Sequence, residues 1–315
     1  MKDILRKILF PNTTIKEYLS VTINGSIQEK VYLKTEKFFI DISETHYLLC
    51  LEPMVFGIWR NKEEDVVTLQ EKSEFRMHFT DSTCDNDNLE KNSIAILTLD
   101  FFNKIEDECG TLFLLRLKRS RIHHISLFKT LFLFFAYYRK PKLSFNKFKS
   151  FVTAFSYPRK VCLISFNQNK YYNIFPMDLL GEIKDCKRHA FGLRHSNAAL
   201  SKIIETKKIV VSEVSFNYKN IIYQLGKYHK ANPPSFDSLP FKITYTSNFE
   251  FYIPEWAENY KEIKILETIN LGSQMLLWGE VVNEKTLNSF ESYLYHIHFL
   301  LYLHQQKKGQ SYQLA

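Results

Sequence analysis

The chain has 315 residues, 45% of them hydrophobic and 24% charged, which excludes an intrinsically disordered protein and allows one large or two medium domains. Its formal net charge of +8 admits a nucleic acid, an anionic membrane surface or a phosphate-bearing ligand, and by itself selects none of them. Five cysteines, Cys50, Cys84, Cys109, Cys162 and Cys186, are widely spaced with no C-x-x-C pair, which argues against a disulfide framework and a zinc site.

The opening MKDILRKILF scatters Asp3, Arg6 and Lys7 through a short apolar pattern without a small-residue cleavage site, so it does not read as a signal peptide and the protein is expected in the cytoplasm. Residues 23 to 60 hold β-branched and alternating runs, with Asn24-Gly25 as a turn signal, and predict strands. A polar loop over 81 to 93 separates these from SIAILTLDFF and TLFLLRLKRSRIHHI, which resume strand character. Leu127 to Tyr138 predicts a buried or interface helix; it contains Lys129 and falls short of the ~20 residues of a membrane span, so no span is expected. Residues 139 to 150 are basic, contain a proline and read as a solvated linker rather than a ligand-binding patch, which places a domain boundary there.

From Tyr157 the pattern becomes short strands: KVCLISF, KYYNIF, KIVVSEV, FKITYTSNFEFYI, EIKILETINLG and QMLLWGEVVNE. A helix is expected from Asn197 to Thr206 with Ser196 or Asn197 as its N-cap, and another over residues 290 to 304. The fold class is therefore mainly β or α+β: an N-terminal α+β domain over 1–145 with no motif that names a chemistry, and a small barrel over 146–315. His296 and His298, two apart in an expected helix, point to different faces and read as structural. No Ser-His-Asp arrangement, Walker loop or G-x-G-x-x-G stretch is present.

Four ordered pieces carry a resemblance: Tyr157-Pro158-Arg159-Lys160-Val161-Cys162-Leu163-Ile164-Ser165-Phe166; Asn173-Ile174-Phe175-Pro176-Met177-Asp178; Phe191-Gly192-Leu193-Arg194; and Leu271-Gly272-Ser273-Gln274 running on to Val282. In this order they resemble the flavin reductase-like family of FMN-binding split barrels, over residues of about 150 to 315. The resemblance implies a Greek-key split β-barrel, a homodimer with FMN at the subunit interface, and reduction of that flavin by NADH or NADPH for an unidentified acceptor. It implies that Asn173, Pro176 and Asp178 border the flavin ring, with Arg194, His195, Ser196 and Asn197 at its phosphate and Lys227 and His229 reaching toward phosphate or nicotinamide. Family members often carry a histidine where this chain has Gln274, which puts in doubt any role needing a proton donor there.

Read without the resemblance, Asn173, Pro176 and Asp178 are turn, bulge or cap residues, and Arg194 to Asn197 open an ordinary capped surface helix. The competing function is a non-catalytic dimeric binding or regulatory protein on the same scaffold. Nucleic acid is not expected as a partner. A third arrangement, with residues 1 to 140 as a diverged second barrel, has no repeated motif behind it.

Overall fold

A computed structural model describes residues 2–10, 15, 19–23, 25–62, 74–139, 143–169, 171–231, 233, 235–289, 292–309 and 312–314. The fold is mainly β, with two seven-stranded antiparallel sheets and a few short helices. The first sheet comprises β1 (Lys30–Lys34), β2 (Phe39–Asp41), β3 (His46–Leu51), β4 (Met54–Asn61), β5 (Phe75–Thr80), β6 (Ser93–Glu106) and β7 (Gly110–Ile122), in the order β2-β1-β5-β6-β7-β4-β3. The second comprises β8 (Cys162–Gln168), β9 (Tyr171–Met177), β10 (Leu180–Ile183), β11 (Arg188–Arg194), β12 (Lys208–Glu213), β13 (Asn259–Asn270) and β14 (Gln274–Thr286), in the order β9-β8-β12-β13-β14-β11-β10. The two orders are the same, strand for strand.

Strand periodicity explains how these sheets bury apolar residues on both faces, since successive side chains point opposite ways. On β4, Met54, Phe56 and Ile58 enter the core of the first sheet, while Val55 and Trp59 turn to the second half of the chain. On β7, Phe113 and Leu115 face inward, and Leu112 and Leu114 outward to the same contact. The second sheet answers with Ala190, Leu276 and Trp278, whose neighbours Phe191, Leu193 and Leu277 fill its own core. Trp59 and Trp278 stack at 5.8 Å across the contact.

Helix α1 (Phe145–Ala154) occupies the second half of the expected linker, a correction to the sequence reading; residues 140–142 lie outside the described residues. Phe145, Phe148 and Val152 recur at helical spacing, Ser144 accepts from the Lys147 N–H at 3.2 Å as N-cap, and the buried Phe148, Val152 and Ala154 join the first core. The basic residues occupy the remaining faces of an amphipathic helix. The helix expected over Leu127 to Tyr138 is present as Leu127–Leu133 continued by a π-helical turn, Phe134–Tyr138. Gly25 takes φ +88°, as its turn requires; Asn24 lies outside the described residues.

The expected helix over 290 to 304 is also corrected. Residues 290–291 are not described, Tyr295–Ile297 is a strand paired with Leu19–Val21, and only then does helix α4 (Phe299–Lys307) begin. His298 makes the break, its Nδ1 accepting from the Leu300 N–H at 3.2 Å. α4 returns to the first half, where Phe299, Leu300 and Leu301 enter the core. There Asp81 accepts from His304 Nε2 at 2.7 Å and pairs with Lys308. The His304 hydrogen bond and the Lys308 ammonium hold the Asp81 carboxyl below its usual range against the opposing effect of burial. Asp81→Asn is expected to cost about 2 kcal/mol at pH 7, read as a shift of the urea unfolding midpoint at unchanged slope. No helix among the described residues is long and apolar enough to cross a membrane.

Candidate functional site

Strand β9 is the edge of the second sheet and, among the described residues, pairs with β8 alone, which is why Pro176 is tolerated opposite Leu163. Three residues earlier Asn173 is wholly buried. Its Nδ2 donates to the Tyr228 carbonyl at 3.0 Å and to Tyr171 Oη at 3.2 Å, and its Oδ1 has no hydrogen-bond partner among the described residues. Asn173 thus ties β9 to the 3-10 turn Gly226–His229, which follows helix α3 (Lys219–Leu225).

His229 sits at the junction of three segments. Its ring lies 4.9 Å from that of Phe175, within electrostatic reach of the Pro176 carbonyl, and its Nδ1 is 3.2 Å from Asn197 Nδ2. This pattern fits the neutral tautomer with the proton on Nε2. Burial, with a smaller push from the Arg194 charge, lowers its pKa, against the opposing influence of the Pro176 carbonyl and Asp178. Asn197 is also buried, its Oδ1 accepting from the Ala199 N–H at 2.8 Å. Helix α2 (Leu200–Thr206) therefore begins three residues later than expected, after a hydrogen-bonded turn.

Arg194 ends β11 with an exposed side chain, and the exposed His195 and Ser196 follow it. His195 Nε2 lies 3.2 Å from Asn270 Oδ1, in the turn between β13 and β14. Lys227 is exposed on the 3-10 turn. The structure thus joins Asn197 directly to His229, ties Asn173 to the same turn through the Tyr228 carbonyl, sets Pro176, Arg194 and Asp178 within electrostatic reach of His229, and leaves His195, Ser196 and Lys227 on the surface.

Asp178 has partners that sequence reasoning missed. His296 Nδ1 lies 2.8 Å from its carboxylate and His296 Nε2 2.7 Å from Tyr223 Oη, which in turn contacts Ser20 Oγ. Burial raises the Asp178 pKa, but the His296 hydrogen bond and charge and the Arg159 guanidinium outweigh it, so the carboxyl stays below its usual range. The only trace in the sequence is His296 itself, and the helical reading of its segment hid the register that sets it opposite Ser20. Gln274 is likewise occupied: its Oε1 accepts from the Leu51 N–H at 3.0 Å and from Cys50 Sγ at 3.0 Å, both in the first half.

An open cleft of 890 Å³ adjoins this cluster at the β8–β9 hairpin, lined by Tyr171, Tyr172, Lys202, Glu205 and Phe236 among others. Tyr172 and Phe236 stack at 4.1 Å, and Lys202 lies over the Tyr171 ring at 5.2 Å. None of the nine residues assigned to the flavin by resemblance lines it; Tyr171, the partner of Asn173, is the link.

No family model matches this chain, and no curated protein does. Among solved structures it is similar to an FMN-binding protein from Thermus thermophilus with bound 1-cyclohex-2-enone, at 17% identity and TM-score 0.37, covering 41% of this chain and 71% of that one. It is also similar to a flavoredoxin from Methanosarcina acetivorans, at 14% identity and TM-score 0.36, covering 41% and 69%. A third, the flavin reductase PheA2, is 15% identical with TM-score 0.40, covering 52% of this chain and 95% of its own.

Proposed function

We propose that the protein is a cytoplasmic flavin-binding oxidoreductase of split-barrel type, with FMN as cofactor and NADH or NADPH as reductant. The observation that carries this reading is the convergence of Pro176, Asn197 and His229, from three separate segments, beside the exposed Arg194. The resemblance implies a cofactor-binding role for each of them, Pro176 at the flavin ring, Arg194 and Asn197 at its phosphate and His229 toward phosphate or nicotinamide.

The residues present fit that ligand. Arg194 and Ser196 offer an exposed guanidinium and hydroxyl to a phosphate, a charge-assisted pairing. Pro176 holds the edge strand with no N–H of its own, and the neutral His229 stands by its carbonyl. Asn173, buried behind them, is a positioning residue that anchors the His229 turn through the Tyr228 carbonyl. A bound flavin supplies hydride acceptance and onward electron transfer; the chain's task is to bind, orient and exclude water. No acid–base residue is required of it.

Titration with FMN, followed by flavin fluorescence and the visible spectrum, tests the reading. Binding is expected, with Arg194→Ala weakening it about 10- to 100-fold through loss of the charged hydrogen bond. A protein that takes up no flavin sinks the proposal. Flavin uptake without NADH or NADPH oxidation assigns the scaffold to binding or regulation.

A further inference from the structure

We propose that the two halves of this chain stand to each other as the two subunits of a symmetric dimer, and that they close a single flavin crevice, built on the second half and walled by the first. The ligand part of this inference rests on the flavin reading; the pairing of the halves does not.

Two observations carry the pairing. The sheets share one strand order, and every strand of the first has its counterpart seven strands later. At the turns the contacts between them are also reciprocal, as in an isologous interface. The β3–β4 turn of the first half grips the β13–β14 turn of the second: the Ser273 N–H donates to the Glu52 carbonyl at 2.6 Å, and the Glu52 N–H donates to Ser273 Oγ at 3.1 Å. The counterpart turns meet with the roles exchanged. Arg188, opening β11 just after the β10–β11 turn, donates from Nε to Asp107 in the β6–β7 turn at 2.8 Å, and Cys109 lies close enough to Cys186 to add to the effect of burial in raising its pKa. The homodimer that the resemblance implies thus has its counterpart inside one chain.

Strand pairing also shows why one crevice, not two, carries the ligand groups. Gly110 closes the β6–β7 turn against Asp107, and Gln274 closes the β13–β14 turn against Leu271. Arg194 pairs with Gln274 and Asn61 with Gly110, so Asn61 stands in the first half where Arg194 stands in the second. An amide replaces the cation, and its Oδ1 is taken by Trp59 Nε1 at 2.5 Å. In the β2–β3 link, the counterpart of the Asp178 segment, Ser43 Oγ is engaged by Asp41 and by the Val31 N–H. The first half instead reaches the ligand side of the second: its Glu52 holds Ser273, whose carbonyl accepts from the His195 N–H at 3.4 Å.

Sedimentation or light scattering of the full chain, with FMN titration of the same sample, tests both parts. The expected result is the mass of one chain and an endpoint of one FMN per chain. Arg194→Ala is expected to weaken that site at least tenfold, and Asn61→Ala to leave affinity and endpoint unchanged. Oxidation with diamide is expected to link Cys109 to Cys186 within one chain, with no covalent dimer. A mass of two chains that persists on dilution, or a Cys109–Cys186 link between chains, overturns the pairing. An endpoint of two, or a tight site that survives Arg194→Ala, overturns the single crevice. No flavin uptake in a one-chain particle fails the flavin reading and the crevice with it, while the pairing stands.

Discussion

Acidification is expected to unfold this protein between about pH 4 and 5.5, because four of its histidines are buried in the neutral form. His46, His78, His189 and His298 are all nearly inaccessible to solvent, and burial is the largest cause that lowers their pKa values, to about 4 for His46 and His78 and about 3 for His189 and His298. The Arg159 charge adds to this at His46, and the Lys261 charge at His189. Each has an ordinary value near 6.5 in the unfolded chain, so unfolding takes up protons below that pH. The stability these groups confer is complete above pH 6.5 and declines as pH falls toward the folded values.

Each histidine removes ~1.4 kcal/mol per pH unit in this window, so the four together remove roughly 5 kcal/mol per unit from a total of about 5–15. Urea unfolding measured from pH 8 to pH 5 checks this, and a flat profile refutes it. His78→Gln is expected to flatten the slope by one proton, since a glutamine keeps a partner for Ser93 Oγ, 2.9 Å from His78 Nδ1, without a titrating ring.

Gly192→Ala is expected to cost 3 kcal/mol or more. A Cβ at this position would lie 1.8 Å from the Leu49 carbonyl oxygen and 2.7 Å from its carbon, so β11 and β3 must separate to admit a single methyl group. Gly57→Ala is the control. There the nearest atoms are Leu49 Cδ1 at 2.7 Å and Leu112 Cδ1 at 3.0 Å, ends of flexible side chains that move at a cost of about 1 kcal/mol. Unfolding free energies of the two variants at pH 8 decide the matter, and equal costs would show that the halves do not rely on this approach of backbones.

These two predictions rest on features of different legibility. The strands were legible because short apolar runs bounded by polar residues survive in them: KIVVSEV became Lys208–Glu213 and QMLLWGEVVNE the body of Gln274–Thr286. Pro176, a turn or bulge residue when read alone, lies within an edge strand, where the N–H that proline lacks is not needed. Lys147 and Lys149 mask the helical spacing of Phe145, Phe148 and Val152 in the sequence. The assigned residues that meet, Pro176, Asn197 and His229, were named only through resemblance; nothing local in them announces that they touch.

The repeat was illegible for a physical reason. Counted from the hairpin turns, Trp59 stands where the second half has Gly192, and Leu114 where it has Trp278. Two packed surfaces need complementary volumes, not equal ones, so the halves could exchange large for small residues while keeping one strand order.

By itself the sequence determined the strand-rich class, the positions of most strands and the absence of a membrane-length apolar run, because these depend on side chains a few residues apart. Tertiary structure decided the rest: the shared order of the two sheets, the return of α4 to the first core, the Asp178–His296 pair and the junction at His229. Each depends on groups distant in the chain, whose pairing no local spacing encodes.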